Sequence, residues 1–197
     1  MKTTRTFAAV LIFTLLTAPA PAIDFTLNFT DTVDDGVPIK RMYFSDGPRR
    51  IYYHPPASWA RSGDARAAIF HPKDSTQASV TIQASPAEQA RIRFDAGGLK
   101  SLREIALAMV PAGATEVSEV WEMVNPVVLQ GWTSFEIGLD YVHFGRRFCR
   151  SILLINLDAE RQISFTIDAD PSEFQPLYKT TYRTLATWWE PAAGDSQ

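Results

Sequence analysis

The clearest hydrophobic pattern lies near the end of the chain, between Arg161 and Trp189. Gln162, Ser164, Thr166 and Asp168 alternate with Ile163, Phe165, Ile167 and Ala169. A period of two predicts a strand with one buried face. Asp170 then offers a carboxylate cap, Pro171 stands where a helix can begin, and Glu173 follows three residues after the cap. Phe174, Leu177, Tyr178, Thr181, Tyr182, Leu185, Trp188 and Trp189 recur at helical spacing. This predicts an amphipathic helix whose broad stripe lies on the sheet. Pro176 disturbs its first turn by removing a backbone donor.

Upstream, Phe25, Leu27 and Phe29 alternate with polar residues, predicting a strand that ends at Asp34-Asp35-Gly36. Val37 to Phe44 and Arg49 to His54 are extended runs joined by Ser45-Asp46-Gly47-Pro48, a hairpin signal. Pro55 and Pro56 form a corner that folds Trp59 back over the sheet edge. Ala67 to His71 and Ala78 to Ser85 form the next strand pair, and a polar loop runs from Ser85 to Gly98. Leu99, Leu102, Ile105, Ala106 and Met109 predict a helix that stops at Pro111 and Gly113. Thr115 to Val128 reads as a strand broken at Asn125-Pro126, with a turn at Gln130-Gly131. Phe135, Ile137, Leu139 and Tyr141 then alternate with Ser134, Glu136, Gly138 and Asp140. Ile152 to Ile155 is apolar on both faces, as in a central strand covered on each side. Strands joined by short turns imply an antiparallel sheet covered by two helices, an α+β fold.

Composition adds the compartment. Lys2, Arg5, the apolar run from Phe7 to Leu16 and the small residues Ala18 to Ala22 have the form of a secretory signal. Residues 1–22 are therefore read as a signal peptide and 23–197 as a single exported domain, periplasmic or secreted. Within it, 23–50 hold the N-terminal strands and hairpin, 51–189 the core and 190–197 a flexible tail. The net charge is −3 and becomes two units more negative when Lys2 and Arg5 leave with the signal. This argues against a general nucleic-acid binder, which carries a basic surface, and no later stretch is apolar enough for a membrane span. Cys149 is the single cysteine, so the core holds the fold without an internal disulfide. It reads as a small buried residue.

Four stretches together resemble the PsbP/Mog1-like group of α/β/α sandwiches. They are the aromatic-proline corner Tyr52 to Trp59, the strand Ala78 to Ser85 with the helix near Leu99 to Met109, the glycine-led strand Gly131 to Glu136, and the terminal strand with its capped helix. The resemblance spans Ile51 to Trp189 and implies a sheet flanked by helices, preceded here by an additional β-hairpin. It also implies a role in binding or assembly. A helix-grip fold is the alternative architecture.

Candidate chemistry is sparse. His54, His71 and His143 lack metal-ligand spacing, and no phosphate loop, His-Glu-x-x-His or Gly-x-Ser-x-Gly occurs. No cofactor or metal is therefore assigned. Asp168 and Asp170 read as a solvated strand residue and a helix cap. Two basic-aromatic spots stand out as binding candidates: Arg49 and Arg50 beside Tyr53, and His143 with Arg146 and Arg147. Arginine and tyrosine suit interaction hot spots, and the charge suits a protein partner or an anionic envelope component. The reading is an exported non-enzymatic binding or assembly domain. Two alternatives are a hydrolase using His54, His143 and Asp140, and a small-molecule or lipid carrier with a cavity between Trp132, Tyr182 and Trp188.

Overall fold

The computed structural model describes residues 23–75, 77–127, 129 and 131–191. The signal segment, most of the tail and Gln130 of the expected turn lie outside the described residues.

The described chain is α+β, with two antiparallel sheets. The first contains β1 (Asp24–Asp34), β2 (Val37–Asp46) and β3 (Arg49–Tyr52), in that order. The Asp-Gly signal closes its second hairpin, where Asp46 pairs with Arg49 and Gly47 takes a positive φ of 57°. Pro55 and Pro56 then lead into the second sheet. Ile51 and Tyr52 consequently belong to the first sheet rather than to the expected core segment.

The second sheet has seven strands in the order β4-β5-β6-β10-β9-β8-β7. These are β4 (Trp59–Gly63), β5 (Ala67–Pro72), β6 (Ser79–Ala84), β7 (Thr115–Val124), β8 (Thr133–His143), β9 (Arg146–Asn156) and β10 (Gln162–Ala169). The expected loop between Ser85 and Gly98 contains one short helix, α1 (Ala87–Ala90). Helix α2 (Leu99–Ala108) packs on one face of the sheet, burying Leu102 and Ala106 against Phe135, Ile137, Ile152 and Leu154. Helix α3 (Pro171–Leu185) lies on the other face, with Phe174 and Leu177 against the cluster that contains Leu153, Phe165 and Ile167. That cluster also includes Phe25, Phe44 and Tyr53, so the first sheet shares the α3 face.

Three expectations change in detail. The helix ends at Leu185, so Trp188 and Trp189 are not part of its stripe. Trp188 instead packs among Phe44, Tyr53 and Phe165, while the backbone of Trp189 bridges to Tyr52. Asp170 occupies the N-cap but makes no side-chain cap bond, and its carboxylate accepts from Arg146. The polar positions of β8 and β10 do not form solvent faces. Ser134, Glu136, Gln162 and Ser164 are buried because helices cover both sides of the sheet.

Arg161 joins the parts. Its guanidinium donates to Asp46 at 2.7 Å, to Asp158 at 2.6 Å and to Glu190 at 3.1 Å. Asp46 is buried, and this pairing satisfies its charge.

Candidate functional site

Strand β8 carries two contrasting polar sites, one at its covered root and one at its free tip. At the root, Glu136 is fully buried beneath α3. One carboxylate oxygen accepts from the Ser151 hydroxyl of β9, opposite Gly138 in register. The other accepts from Tyr182 at 2.5 Å and Tyr178 at 3.1 Å. The two tyrosines stand four residues apart on α3, which places both hydroxyls on one helix face. Trp121 of β7 closes the side, packing against Phe174 and Tyr178. Gly138 makes room for it, since a Cβ there would meet the indole ring at 2.1 Å.

The electrostatics follow from this enclosure. Burial pushes the Glu136 carboxyl above its ordinary range, while bonds from Ser151, Tyr182 and Tyr178 oppose that rise. The Trp121 indole also favours the ionised form, although its buried nitrogen has no partner within hydrogen-bond geometry. Burial, with the nearby carboxylate, raises Tyr178 to about 12 and pushes Tyr182 higher still. With both oxygens already taken by three hydroxyl donors, this acid is a packing element that fixes α3 on the sheet.

At the tip, β8 turns into β9 through Phe144 and Gly145, both at positive φ (49° and 74°). That is the backbone of a tight two-residue hairpin. Phe144 is 92% exposed, and its ring lies 4.1 Å from that of His143. Behind them, Tyr141 stacks on Phe148 at 5.5 Å. The two predicted arginines are tethered: Arg146 donates to Asp170 at 3.1 Å and Arg147 to Asp140 at 2.9 Å.

The tip has a rigid base. The Tyr141 hydroxyl donates to both oxygens of Asp168 at 2.9 and 2.8 Å. Arg150 donates to Asp168 and to the Met109 carbonyl at the end of α2, with its guanidinium 5.2 Å from the Tyr141 ring. Asp168 is thus an ion-paired member of this network rather than a solvated residue. Burial raises the Tyr141 hydroxyl well above its ordinary value, with Arg150 opposing and Asp168 reinforcing the rise.

The other candidates disperse. Arg49 and Arg50 are exposed on β3, the latter 4.9 Å from the Tyr43 ring. Tyr53 does not share their surface. It is buried in the core, its hydroxyl paired with Thr184 at 2.7 Å and pushed well above its ordinary value by that burial. Asp140 and His143 are three residues apart on β8, and therefore point to opposite sheet faces. His54 follows the first sheet, with its backbone N–H donating to Thr187. The proposed hydrolase set is not assembled by Asp140 and His143. The proposed carrier seam is occupied: rings surround Trp188, and Tyr182 is spent on Glu136. Burial, reinforced by Asp140, pushes the Cys149 thiol up to about 12, which leaves little thiolate. Among the described residues, no group of three or more acidic, histidine or cysteine side chains is placed to hold a metal ion.

Phe144, Glu136 and the Trp121–Gly138 pair were not singled out by the sequence. The tyrosine spacing on α3 and the glycine within β8 were the available signals for the root. For Phe144 the signal was its place before Gly145 in the turn.

No family model and no curated protein matches the chain. Solved structures do resemble it. A Pseudomonas aeruginosa protein of unknown function has 15% identity and a TM-score of 0.46, covering 83% of this chain and 96% of its own. LpqN, described as involved in cell envelope biogenesis of Mycobacterium tuberculosis, has 12% identity and a TM-score of 0.48, with 83% and 91% coverage. The cyanobacterial PsbP of Synechocystis sp. PCC 6803 has 9% identity and a TM-score of 0.37, with 83% and 92% coverage. All three likenesses lie below a TM-score of 0.5, and they carry neither a family nor a function to this chain.

Proposed function

We propose that this chain is an exported, non-enzymatic binding domain that contacts a protein partner through the β8–β9 tip. The observation that carries the reading is Phe144. A large aromatic side chain stands 92% exposed at a positive φ, a conformation that costs a residue of its type stability. Folding gains little from an arrangement that leaves the ring in water. A partner with an apolar pocket gains an anchor of the kind found in hot spots. His143 flanks the anchor, and Arg146 and Arg147 are more than half exposed beside their aspartates, so their remaining donors suit carboxylates around that pocket. Arg49 and Arg50 are a separate, secondary contact surface in this reading.

The test is cross-linking of the tagged protein in its own host, followed by mass spectrometry of captured proteins. The reading predicts a reproducible partner that disappears with Phe144→Ala and weakens when Arg146 and Arg147 are both replaced by alanine. An unchanged set of captured proteins from a folded Phe144→Ala variant would overturn it.

A further inference from the structure

On the α2 side of the large sheet, polar burial is incomplete in one place. Ser164 projects from β10 and is 1% exposed, yet its hydroxyl oxygen has no hydrogen-bond partner. A buried hydroxyl in that state carries an unrecovered desolvation cost. Two residues earlier on the same face, Gln162 is fixed by its amide nitrogen to Asn156 at 2.9 Å and to the Gln89 carbonyl at 3.3 Å. Its buried side-chain oxygen is also unpaired.

Ser164 lines a cleft of about 480 Å³ between α2, the segment around α1 and the β6–β10 strand pair. The volume falls within the range typical of small-molecule sites. Ile92, Ile105 and Met109 supply apolar wall, and Gln83 and Gln89 add polar groups beside the floor. Glu104 is the one charged residue among those lining it. Its side chain is 66% exposed and faces Lys100 at 3.9 Å, so solvent screens the attraction it offers.

We infer that this cleft is a binding site for a small uncharged amphiphile with a hydroxyl or primary-amide head group and a short alkyl body. The head pairs with the Ser164 hydroxyl, which both donates and accepts, and the alkyl part lies along Ile92, Ile105 and Met109. A carboxylate head finds no cation in the lining, and an ammonium head finds only the screened Glu104. This site is on the opposite sheet face from the carrier seam considered from the sequence. It is independent of the hairpin tip and stands whether or not the tip engages a partner.

Octanamide is the probe, with octanoate and octylammonium as charged controls, followed by amide chemical-shift changes in the purified protein. The expected result is saturable binding of octanamide with shifts clustered on α2, β10 and residues 83–92, and much weaker effects from both controls. Ser164→Ala is expected to weaken octanamide about tenfold, the value of one hydrogen bond. Its melting temperature should be equal to or above that of the parent, because an unpaired buried hydroxyl has been removed. Ala108 is exposed and lines the mouth, so Ala108→Trp should block uptake without disturbing the core. Equal affinity in Ser164→Ala, shifts located elsewhere, preference for either charged control, or no saturable binding would each overturn the assignment. The last of these would leave the cleft as a hydration site only.

Discussion

The root and tip of β8 are treated oppositely by the fold. At the root, a buried carboxylate receives three hydroxyl donors, and a glycine gives up its side chain so that an indole can close the wall. At the tip, an aromatic ring is left in solvent on a backbone that favours glycine or asparagine. Dense satisfaction marks a place that holds the structure together. The unrewarded local cost at the tip is what the proposed binding role accounts for.

The largest test of this contrast is Gly138→Ala. The new methyl would enter the space of the Trp121 ring, and overpacking of this kind costs about 2–3 kcal/mol. Urea unfolding should show that loss, and an unchanged midpoint would contradict the packing at the root. Tyr182→Phe removes one donor from Glu136, with an expected loss of about 1–2 kcal/mol in the same measurement. A neutral outcome would mean that the carboxylate does not depend on the cage.

A pH comparison sharpens the point. Burial raises the Glu136 carboxyl, so the folded chain holds that proton more tightly than the unfolded chain. The stabilising effect of protonation is fully present below the ordinary carboxylate value and fades as pH climbs through the raised folded value. The groups facing Glu136 are Ser151 from β9, Tyr178 and Tyr182 from α3 and Trp121 from β7. Glu136→Gln abolishes the titration. The melting temperature of the parent relative to this variant should therefore fall as pH rises above the ordinary carboxylate value of about 4. A constant difference over that rise would show that Glu136 does not titrate in this way.

Much of the scaffold was legible in the sequence. Alternation placed β6, β8 and β10, and Asp46-Gly47 marked the first-sheet hairpin. The capped terminal helix was evident up to Leu185. Strand β4 escaped, because Trp59 is its one large apolar residue and Arg61 and Ser62 resemble a loop. Glu136, Ser164 and Asp168 depart from the sequence expectation for one physical reason. Alternation identifies one apolar face of a strand but does not reveal whether a helix later covers the polar face. Only the final packing shows whether such a polar residue meets water, a tyrosine hydroxyl or nothing. His143, Arg146 and Arg147 were identified by their charge. Phe144 lies between them in the turn, where the sequence does not show whether a ring is packed or left in solvent.

The most direct test is Phe144→Asn, measured for both stability and partner capture. Asparagine tolerates the positive φ that phenylalanine occupies here. The account predicts a variant more stable by up to about 1 kcal/mol that no longer captures the partner held by the parent chain. A less stable variant that still captures the same proteins would show that Phe144 serves the fold, and the proposed binding role of the tip would fall.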